Sequence, residues 1–388
     1  MGCISNITFV SIHNKITQLN QTFNECICYQ LQYNLSGFNY FIQNQTCELF
    51  RNFTTDFVLV QNLQTRFCFV TQPPELTTSS VQTSTYTTML YDTTPTTTST
   101  WNSTGTTVAT GNGNANILNP YGVFVDDQYY IYVAEKENSR ISKWPPNENG
   151  SASSAIFQTA SGQIGKTPSL YVDSNTGDIY VADEPNQRVV RFPNGSTIGF
   201  TMASILLGTL PTVSGIYLDP NGTIFITDTG RNRIYNWLTN QSVVGGYGSG
   251  TNVNQLNQPK RFFIDKNYTF YVTDSGNSRI QKWLKGATSG QTVAGGFGSG
   301  SNANQLGGPL GVVVDSKGNV LVCDSNNHRV QMWRPGAVTG QTVAGNANGT
   351  SGSGPMALNS PKGIAIDKSD NFYVADTSNL RIQKFSIL

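Results

Sequence analysis

An acidic residue followed five positions later by an arginine recurs six times in the C-terminal part of the chain. A carboxylate and a guanidinium at this spacing can cap a turn and pair with each other. A pair that is present in every copy of a repeat is expected to hold the structure rather than to perform chemistry, so we predict a structural role for all six. The pairs are Glu135/Arg140, Asp183/Arg188, Asp228/Arg233, Asp274/Arg279, Asp324/Arg329 and Asp376/Arg381.

Chemistry would require residues that break this repetition, and histidine and cysteine are the first to consider. The repeats contain one histidine, His328, at a position that other copies fill with residues such as Ser139 and Leu380. A single histidine cannot form a catalytic zinc site, and we interpret His328 as a surface turn residue. Cys323 replaces an alanine of other copies without a His/Asp partner pattern, so we predict a packed free thiol. No metal or cofactor is predicted.

The elements that must position these residues are short strands. Each copy has an apolar run ending in Asp, a turn, a second strand ending in the acid, and the arginine with an aromatic residue four positions later. A fourth strand follows in most copies, and the Arg-to-Arg distances are 48, 45, 46, 50 and 52 residues. Four strands in a repeat of this length are typical of a β-propeller blade.

The ends of the repeat region predict how the ring closes. The last copy stops at Phe385–Leu388 without a fourth strand, whereas Gly105–Gly111, before the first copy, resembles the fourth strand at Gly290–Gly295. We therefore predict that the N-terminal segment supplies the outer strand of the last blade, which removes an exposed sheet edge. Six copies with one shared blade predict six blades.

The repeats resemble NHL repeats. The residues that carry the resemblance are Pro361–Asp367, Tyr373–Asp376 and Asn379–Ile382, and all six copies fit. NHL propellers serve as lyases, RNA-binding platforms and protein-interaction modules, so the resemblance implies the fold and leaves the function open. The amidating lyases of this type bind zinc through several histidines, and calcium-dependent propeller hydrolases use Asn, Asp and Glu. Because the Asn and Asp residues here recur at turns, we do not predict an enzyme.

Recognition needs a patch that differs between blades. The residue after the proline that opens each inner strand varies and should lie near one propeller face. The candidates for ligand contact are Tyr121, Lys260, Arg261, Leu310 and Lys362. The charged fraction is 12% and the net charge +1, and this patch offers few cations for tracking phosphates. Binding of nucleic acid is therefore the alternative and not the favoured function.

The N-terminal residues 1–70 contain five of the six cysteines, which predicts disulfides and an oxidising compartment. A capping box at Thr22–Glu25 predicts a helix with Cys26 on its apolar face, and strands should follow. The segment resembles a PAN/apple domain through Glu25-Cys26, Gly37–Tyr40 and Cys47–Leu49. The resemblance implies two disulfides, Cys26–Cys47 and Cys3–Cys68.

Residues 71–105 are rich in Thr, Ser and Pro and cannot bury a core, which suits either an O-glycosylated stalk or an unmodified linker. No apolar run is long enough for a transmembrane helix. The first residues do not match a signal peptide, and a fragment whose signal is missing is an open alternative. The chain has twelve N-x-S/T sequons. The glycosylation candidates are Asn6, Asn20, Asn34, Asn44, Asn52 and Asn102.

These observations predict a mainly β chain: a disulfide-containing α+β PAN/apple-like domain at 1–70, a disordered linker at 71–105 and a six-bladed propeller at 106–388. The favoured function is extracellular or cell-surface recognition of a protein or glycan through the propeller face and the apple-like domain. An RNA-binding propeller and a propeller lyase or hydrolase are the alternatives.

Overall fold

The computed structural model describes residues 39–43, 46–50, 100–110, 117–146, 155, 157–165, 169–202 and 212–388. The chain divides into two units, residues 1–98 and 99–388. In the described part of the second unit the regular structure is β-strand, with a few one-turn 3-10 helices. These one-turn helices are Glu184–Asn186, Ser275–Asn277, Ser325–Asn327 and Thr377–Asn379.

The first unit contributes two described strands, β1 (Asn39–Gln43) and β2 (Thr46–Phe50), which pair antiparallel with Ile42 opposite Cys47. The helix and the cysteines Cys3, Cys26 and Cys68 of the PAN/apple-like prediction lie outside the described residues, as do Asn6, Asn20, Asn34, Asn44 and Asn52. The domain and its disulfides therefore stay predictions. Asn102 is described and exposed. Within the described ranges, no helix is long and apolar enough to span a bilayer.

In the second unit, β3 (Thr106–Thr110) precedes six innermost strands. Valine, isoleucine and aromatic residues dominate these strands, as expected for extended chain that is covered on both faces. Each contacts the innermost strands of the two neighbouring blades, which closes a ring around a central channel. They are β4 (Pro120–Val125), β8 (Ser169–Val172), β12 (Val213–Leu218), β16 (Pro259–Ile264), β20 (Pro309–Val314) and β24 (Pro361–Ile366).

Each innermost strand begins a sheet of four antiparallel strands. The second strands are β5 (Ile131–Glu135), β9 (Ile179–Asp183), β13 (Ile224–Asp228), β17 (Phe270–Asp274), β21 (Val320–Asp324) and β25 (Phe372–Asp376). The third strands are β6 (Arg140–Trp144), β10 (Arg188–Phe192), β14 (Arg233–Asn236), β18 (Arg279–Trp283), β22 (Arg329–Trp333) and β26 (Arg381–Phe385). The outer strands of blades one to five are β7 (Phe157–Gln158), β11 (Phe200–Met202), β15 (Ser242–Gly245), β19 (Gln291–Gly295) and β23 (Gln341–Gly345).

The sixth blade takes its outer strand from the start of the propeller unit. β3 pairs antiparallel with β26, with Ala109 opposite Ile382. Trp101, which the prediction placed in the linker, forms an isolated bridge with Ile387 and is buried. Its ring lies edge-on to Phe372, with the ring centroids 5.5 Å apart. The predicted six-bladed propeller is confirmed, and its first and last segments meet in one blade.

The core consists of apolar clusters between neighbouring blades. One cluster joins the strands of blade six to β3 and blade one, and others join the successive blades. The aromatic residue of the third strand is the largest contributor, and Trp144, Trp283, Trp333, Phe192 and Phe385 are fully buried. Since both faces of the inner strands are covered, each blade depends on its neighbours for its core.

Candidate functional site

The repeated acid and arginine face each other across the turn between the second and third strands. In blade four, Asp274 pairs in register with Arg279, and the Arg279 Nε donates to the Asp274 Oδ2 at 2.7 Å. The corresponding Nε–carboxylate distances in the other blades run from 2.8 to 3.5 Å. All six acids are at most 1% exposed, so the pairs lie inside the fold.

In blades two, four, five and six, the pair also anchors the loop that enters its blade. The Asp274 Oδ1 accepts a hydrogen bond from the Asn257 backbone N–H at 2.6 Å. The Arg279 guanidinium donates to the Thr251 carbonyl oxygen at 2.8 Å and to the Asn252 carbonyl oxygen at 3.2 Å. The loop leading into β16 is therefore held to the turn that follows β17. This positions the loops around the channel at the face where the innermost strands start.

Burial raises the pKa of the carboxyl groups of Asp274, Asp324 and Asp376, although hydrogen bonds to the asparagine three residues on and to the arginine act in the opposite direction. Desolvation of the charged form is thus the largest effect at these sites. A buried carboxylate of this kind depends on its partner, and loss of the arginine alone would leave a charge without compensation.

The residue before each arginine has a left-handed backbone conformation. His328 has φ +53°, and its counterparts in the other blades have φ between 49° and 54°. The His328 Nδ1 accepts a hydrogen bond from the Ser360 backbone N–H at 3.0 Å. His328 therefore occupies a turn position and holds the following loop. In the described part of the chain, no three His, Cys, Asp or Glu side chains are grouped closely enough to hold a metal ion.

The first residue after the acid is a hydroxyl residue in four blades. Thr229, Ser275, Ser325 and Thr377 each donate to the carbonyl oxygen of the proline that starts the next innermost strand, at 2.5 to 2.7 Å. We call these contacts the hydroxyl latches. The same position is Lys136 in blade one and Glu184 in blade two. These two charged residues break the repeat at the channel.

The starts of the innermost strands carry the predicted ligand-contact residues. In blades one and three to six the pairing of the first and second strands shifts register there, next to Tyr121, Lys260, Arg261, Leu310 and Lys362. A β-bulge at this position redirects side chains away from the sheet, and bulges are common beside functional sites. Leu310 is half-buried at the start of β20.

Arg261 crosses the central channel. It starts in β16 of blade four, and its Nη2 donates to the Tyr121 carbonyl oxygen of blade one at 2.8 Å. Blades one and four lie opposite each other in a ring of six. The Arg261 guanidinium carbon lies 5.3 Å from the centroid of the Tyr121 ring, and the Lys136 Nζ lies 6.0 Å from the same centroid. Two cations thus flank one aromatic ring.

Four of the six blades have glycine at the position of Arg261, and at Gly363 there is no room for a side chain. A Cβ added to Gly363 would lie 2.7 Å from the Tyr121 carbonyl oxygen and 3.0 Å from the Arg261 Nη1. The first distance is too short for a real Cβ contact, and its partner is backbone that cannot move aside easily. The glycine therefore leaves the space that the Arg261 side chain occupies.

The charges at this end of the channel interact. The Lys260 Nζ lies 3.5 Å from the Glu184 Oε1. Burial lowers the pKa of Lys362, and the positive charges of Lys136 and Arg261 lower it further. Burial also lowers the pKa of Arg261, while Glu184 and Tyr121 act in the opposite direction. We call the set Tyr121, Lys136, Glu184, Lys260, Arg261 and Lys362 the channel-mouth cluster.

The structure thus brings Tyr121, Lys260, Arg261 and Lys362 into one cluster, and the sequence reasoning missed two of its members. Lys136 and Glu184 follow the second-strand acids, and the prediction considered only the starts of the inner strands. The sequence does contain a signal for them: the other four copies have Ser or Thr at this position, and Lys136 and Glu184 are the two exceptions. Cys323 is buried beside the cluster, and burial raises its thiol pKa to about 12.

Comparisons with known proteins agree with the fold. The family profile described as NHL repeat matches residues 306–333 and 358–385, in blades five and six. The comparison with curated proteins gives no match. Among solved structures, the chain is similar to a Bacteroides thetaiotaomicron structural genomics protein of unknown function, with TM-score 0.59 and 15% identity over 74% of this chain and 76% of that chain.

Two further solved structures have printed functions. One is an auxiliary nutrient binding protein from Bacteroides thetaiotaomicron, with TM-score 0.56 and 15% identity over 73% of this chain and 76% of that chain. The other is a gluconolactonase from Xanthomonas campestris, with TM-score 0.50 and 14% identity over 70% of this chain and 88% of that chain. At these identities the likeness shows the fold alone. The chain carries NHL repeats and forms a fold that both binding proteins and enzymes use.

Proposed function

We propose that this protein is an extracellular recognition protein that binds a protein or glycan ligand at the channel-mouth cluster. The observation that carries the proposal is the convergence, at one end of the channel, of residues that occur in single blades. The residues that repeat around the ring are engaged in holding turns and loops. The residues that break the repeat are charged or aromatic, and Tyr121 and Arg261 belong to the types that dominate binding surfaces.

The fold gives this surface a suitable support. The buried acid–arginine pairs attach the incoming loops to rigid strands on the same face, and a rigid scaffold with variable ends is a common arrangement for binding. A Bacteroides protein with a similar fold is described as an auxiliary nutrient binding protein, which agrees with a binding role. That likeness supports the class of function and does not extend to its ligand.

The extracellular placement rests on the sequence. Five cysteines in residues 1–70 and the Thr-rich segment at 71–105 are typical of secreted chains. We propose a PAN/apple-like domain there, with disulfides Cys26–Cys47 and Cys3–Cys68, as a second ligand surface. Mass mapping without reduction of protein from a secreting cell should find these two linkages and Cys323 as a free thiol. Five reduced cysteines in residues 1–70 would contradict the placement.

The binding test is a screen of the full chain against extracellular proteins, glycans and single-stranded RNA. The Tyr121→Ala/Arg261→Ala double variant should bind a selected ligand at least tenfold more weakly, a loss of about 1.4 kcal/mol. Lys266→Ala is the matched control, since Lys266 is exposed in the turn at the other end of β16. Salt-dependent binding to RNA alone would overturn the proposal and favour an RNA-binding propeller.

A control for folding separates binding from stability. Arg279 has the same charge as Arg261 but is engaged with Asp274 and three loop carbonyl oxygens. Arg279→Ala should lower the melting temperature and change the affinity little in the remaining folded protein. If the Tyr121/Arg261 variant binds normally, the channel mouth is not the site and the N-terminal domain becomes the candidate.

A further inference from the structure

The channel mouth has an excess of positive charge that the described residues do not balance. The cluster contains four cations, Lys136, Lys260, Arg261 and Lys362, and one acid, Glu184, which lies within ion-pair distance of Lys260. No other carboxylate in the described ranges lies within 4.0 Å of Lys136, Arg261 or Lys362. The chain as a whole has a net charge of only +1, so this excess is local.

Arg261 has the largest number of unused hydrogen-bond donors in the cluster. A guanidinium has five N–H donors, and among the described residues the Arg261 guanidinium has one hydrogen-bond acceptor, the Tyr121 carbonyl oxygen. The repeat arginines are different, since Arg381 donates to Asp376 and to three loop carbonyl oxygens. Most of the N–H donors of Arg261 therefore have no acceptor among the described residues, and they could bind a ligand in the channel.

From this geometry we infer that the channel mouth binds the carboxylate group of an acidic ligand, with Arg261 as its main contact and Lys362 and Lys136 beside it. The inference rests on the proposed function and names the chemistry of the ligand. A carboxylate accepts two parallel hydrogen bonds from a guanidinium, which makes the pair short and directional. An anion at this point would also relieve the repulsion among the three cations.

The cluster suits one small anion better than a polyanion. The cations are confined to the channel axis, whereas the arginines further out are paired with buried acids. A phosphate chain needs cations distributed along a path. The cluster therefore favours a small anion over a polyanion. The planar guanidinium of Arg261 can bind a carboxylate through two parallel hydrogen bonds, and methyl phosphate tests the alternative small anion.

The groups that face Lys362 support the same conclusion. Lys136 and Arg261 are the positive charges that lower its pKa, and the buried Cys323 on β21 acts in the opposite direction. Burial and these charges lower the pKa of Lys362, and none of the ion pairs among the described residues involves Lys362. A bound carboxylate would supply a counterion.

The experiment measures binding of small acids to the full chain by saturation-transfer NMR, since a single carboxylate contact is expected to give dissociation constants of about 1 mM. Glucuronate represents an acidic sugar and N-acetylglycine a peptide carboxylate. Glucose and N-acetylglycinamide are their neutral matched controls, and methyl phosphate is the phosphate control. At least one of the two acids should bind tenfold or more tightly than its neutral control and than methyl phosphate. Which of the two acids binds identifies the source of the carboxylate.

Two variants connect the binding to the cluster. Arg261→Gln and Lys362→Gln should each weaken binding of the acid at least tenfold, whereas Lys266→Gln should not change it. An unchanged melting temperature of Lys362→Gln would show that the loss is not due to unfolding, even if Arg261→Gln is unstable. Equal binding of acids and neutral controls, or acid binding that both variants retain, would overturn the inference.

The two proposals can fail separately. A neutral ligand from the screen that still loses binding in the Tyr121/Arg261 variant would support recognition at the channel mouth and overturn the carboxylate. If neither the screened ligands nor the small acids depend on Arg261, both proposals are wrong.

Discussion

Replacement of Val108 by aspartate in the full chain tests whether the N-terminal strand closes the ring in solution. Val108 lies in β3, which pairs with β26, and is 2% exposed. Burial of a valine side chain contributes about 1.5–3 kcal/mol, and an unpaired buried polar group costs about 1–3 kcal/mol, more if it is charged. These losses are a large part of the roughly 5–15 kcal/mol that stabilises a folded protein.

For a domain of this size, 1 kcal/mol corresponds to about 2–4 °C in melting temperature. We therefore expect Val108→Asp to lower the melting temperature of the propeller by at least about 5 °C. Near-ultraviolet circular dichroism is the assay, because Trp144, Trp283 and Trp333 are fully buried and report the packing between blades.

Thr106→Asp is the matched control. Thr106 lies on the same strand, is exposed and pairs with Lys384, so the added carboxylate stays in solvent and should change the stability by less than about 0.5 kcal/mol. Trp101→Ala is a second test of the same closure. It should also lower the melting temperature, because the Trp101 Nε1 donates to the Asp370 carbonyl oxygen at 2.7 Å. Equal melting temperatures for Val108→Asp and Thr106→Asp would refute closure by β3.

Three further predictions follow from buried groups. Arg329→Met should lower the free energy of unfolding by about 3–5 kcal/mol because it leaves the Asp324 carboxylate without its partner, while the double variant with Asp324→Leu should recover part of the loss in chemical denaturation. Cys323 should resist iodoacetamide at pH 8 in the native protein and react in denaturant, because burial raises its pKa to about 12; rapid native labelling would contradict its packing. The pKa of Lys362 is lowered from 10.5, so the unfolded chain binds more protons between the lowered value and 10.5, and the free energy of unfolding should rise with pH in that window. Lys362→Met should reduce this rise in urea titrations, and an unchanged slope would show that Lys362 is not desolvated.

The repeats made the fold predictable, because all six copies show the same order of strands. The additional strand at Thr106–Thr110, before the first copy, matches the fourth strand that is missing after Phe385. The acid and arginine of each blade could be identified for the same reason. Their contacts with loop carbonyl oxygens could not be read from the sequence, because those loops differ in length and composition.

The site was less accessible to sequence reasoning. The contact between Arg261 and Tyr121 joins residues 140 positions apart, and it depends on the ring placing blades one and four opposite each other. The members Lys136 and Glu184 were visible as exceptions to a hydroxyl position, but only the structure shows that this position faces the channel.

The hydroxyl latches also have a consequence for the motions of the ring. Among the described residues they connect blade three to four, four to five, five to six and six to one. The two joints that flank blade two have Lys136 and Glu184 at the latch position instead. A hydroxyl–carbonyl hydrogen bond contributes about 0.5–1.5 kcal/mol, so separating blade two from its neighbours breaks fewer of these bonds than separating any other blade. Within the described ranges, blade two is thus the blade with no hydroxyl latch on either side, and both of its latch positions belong to the channel-mouth cluster.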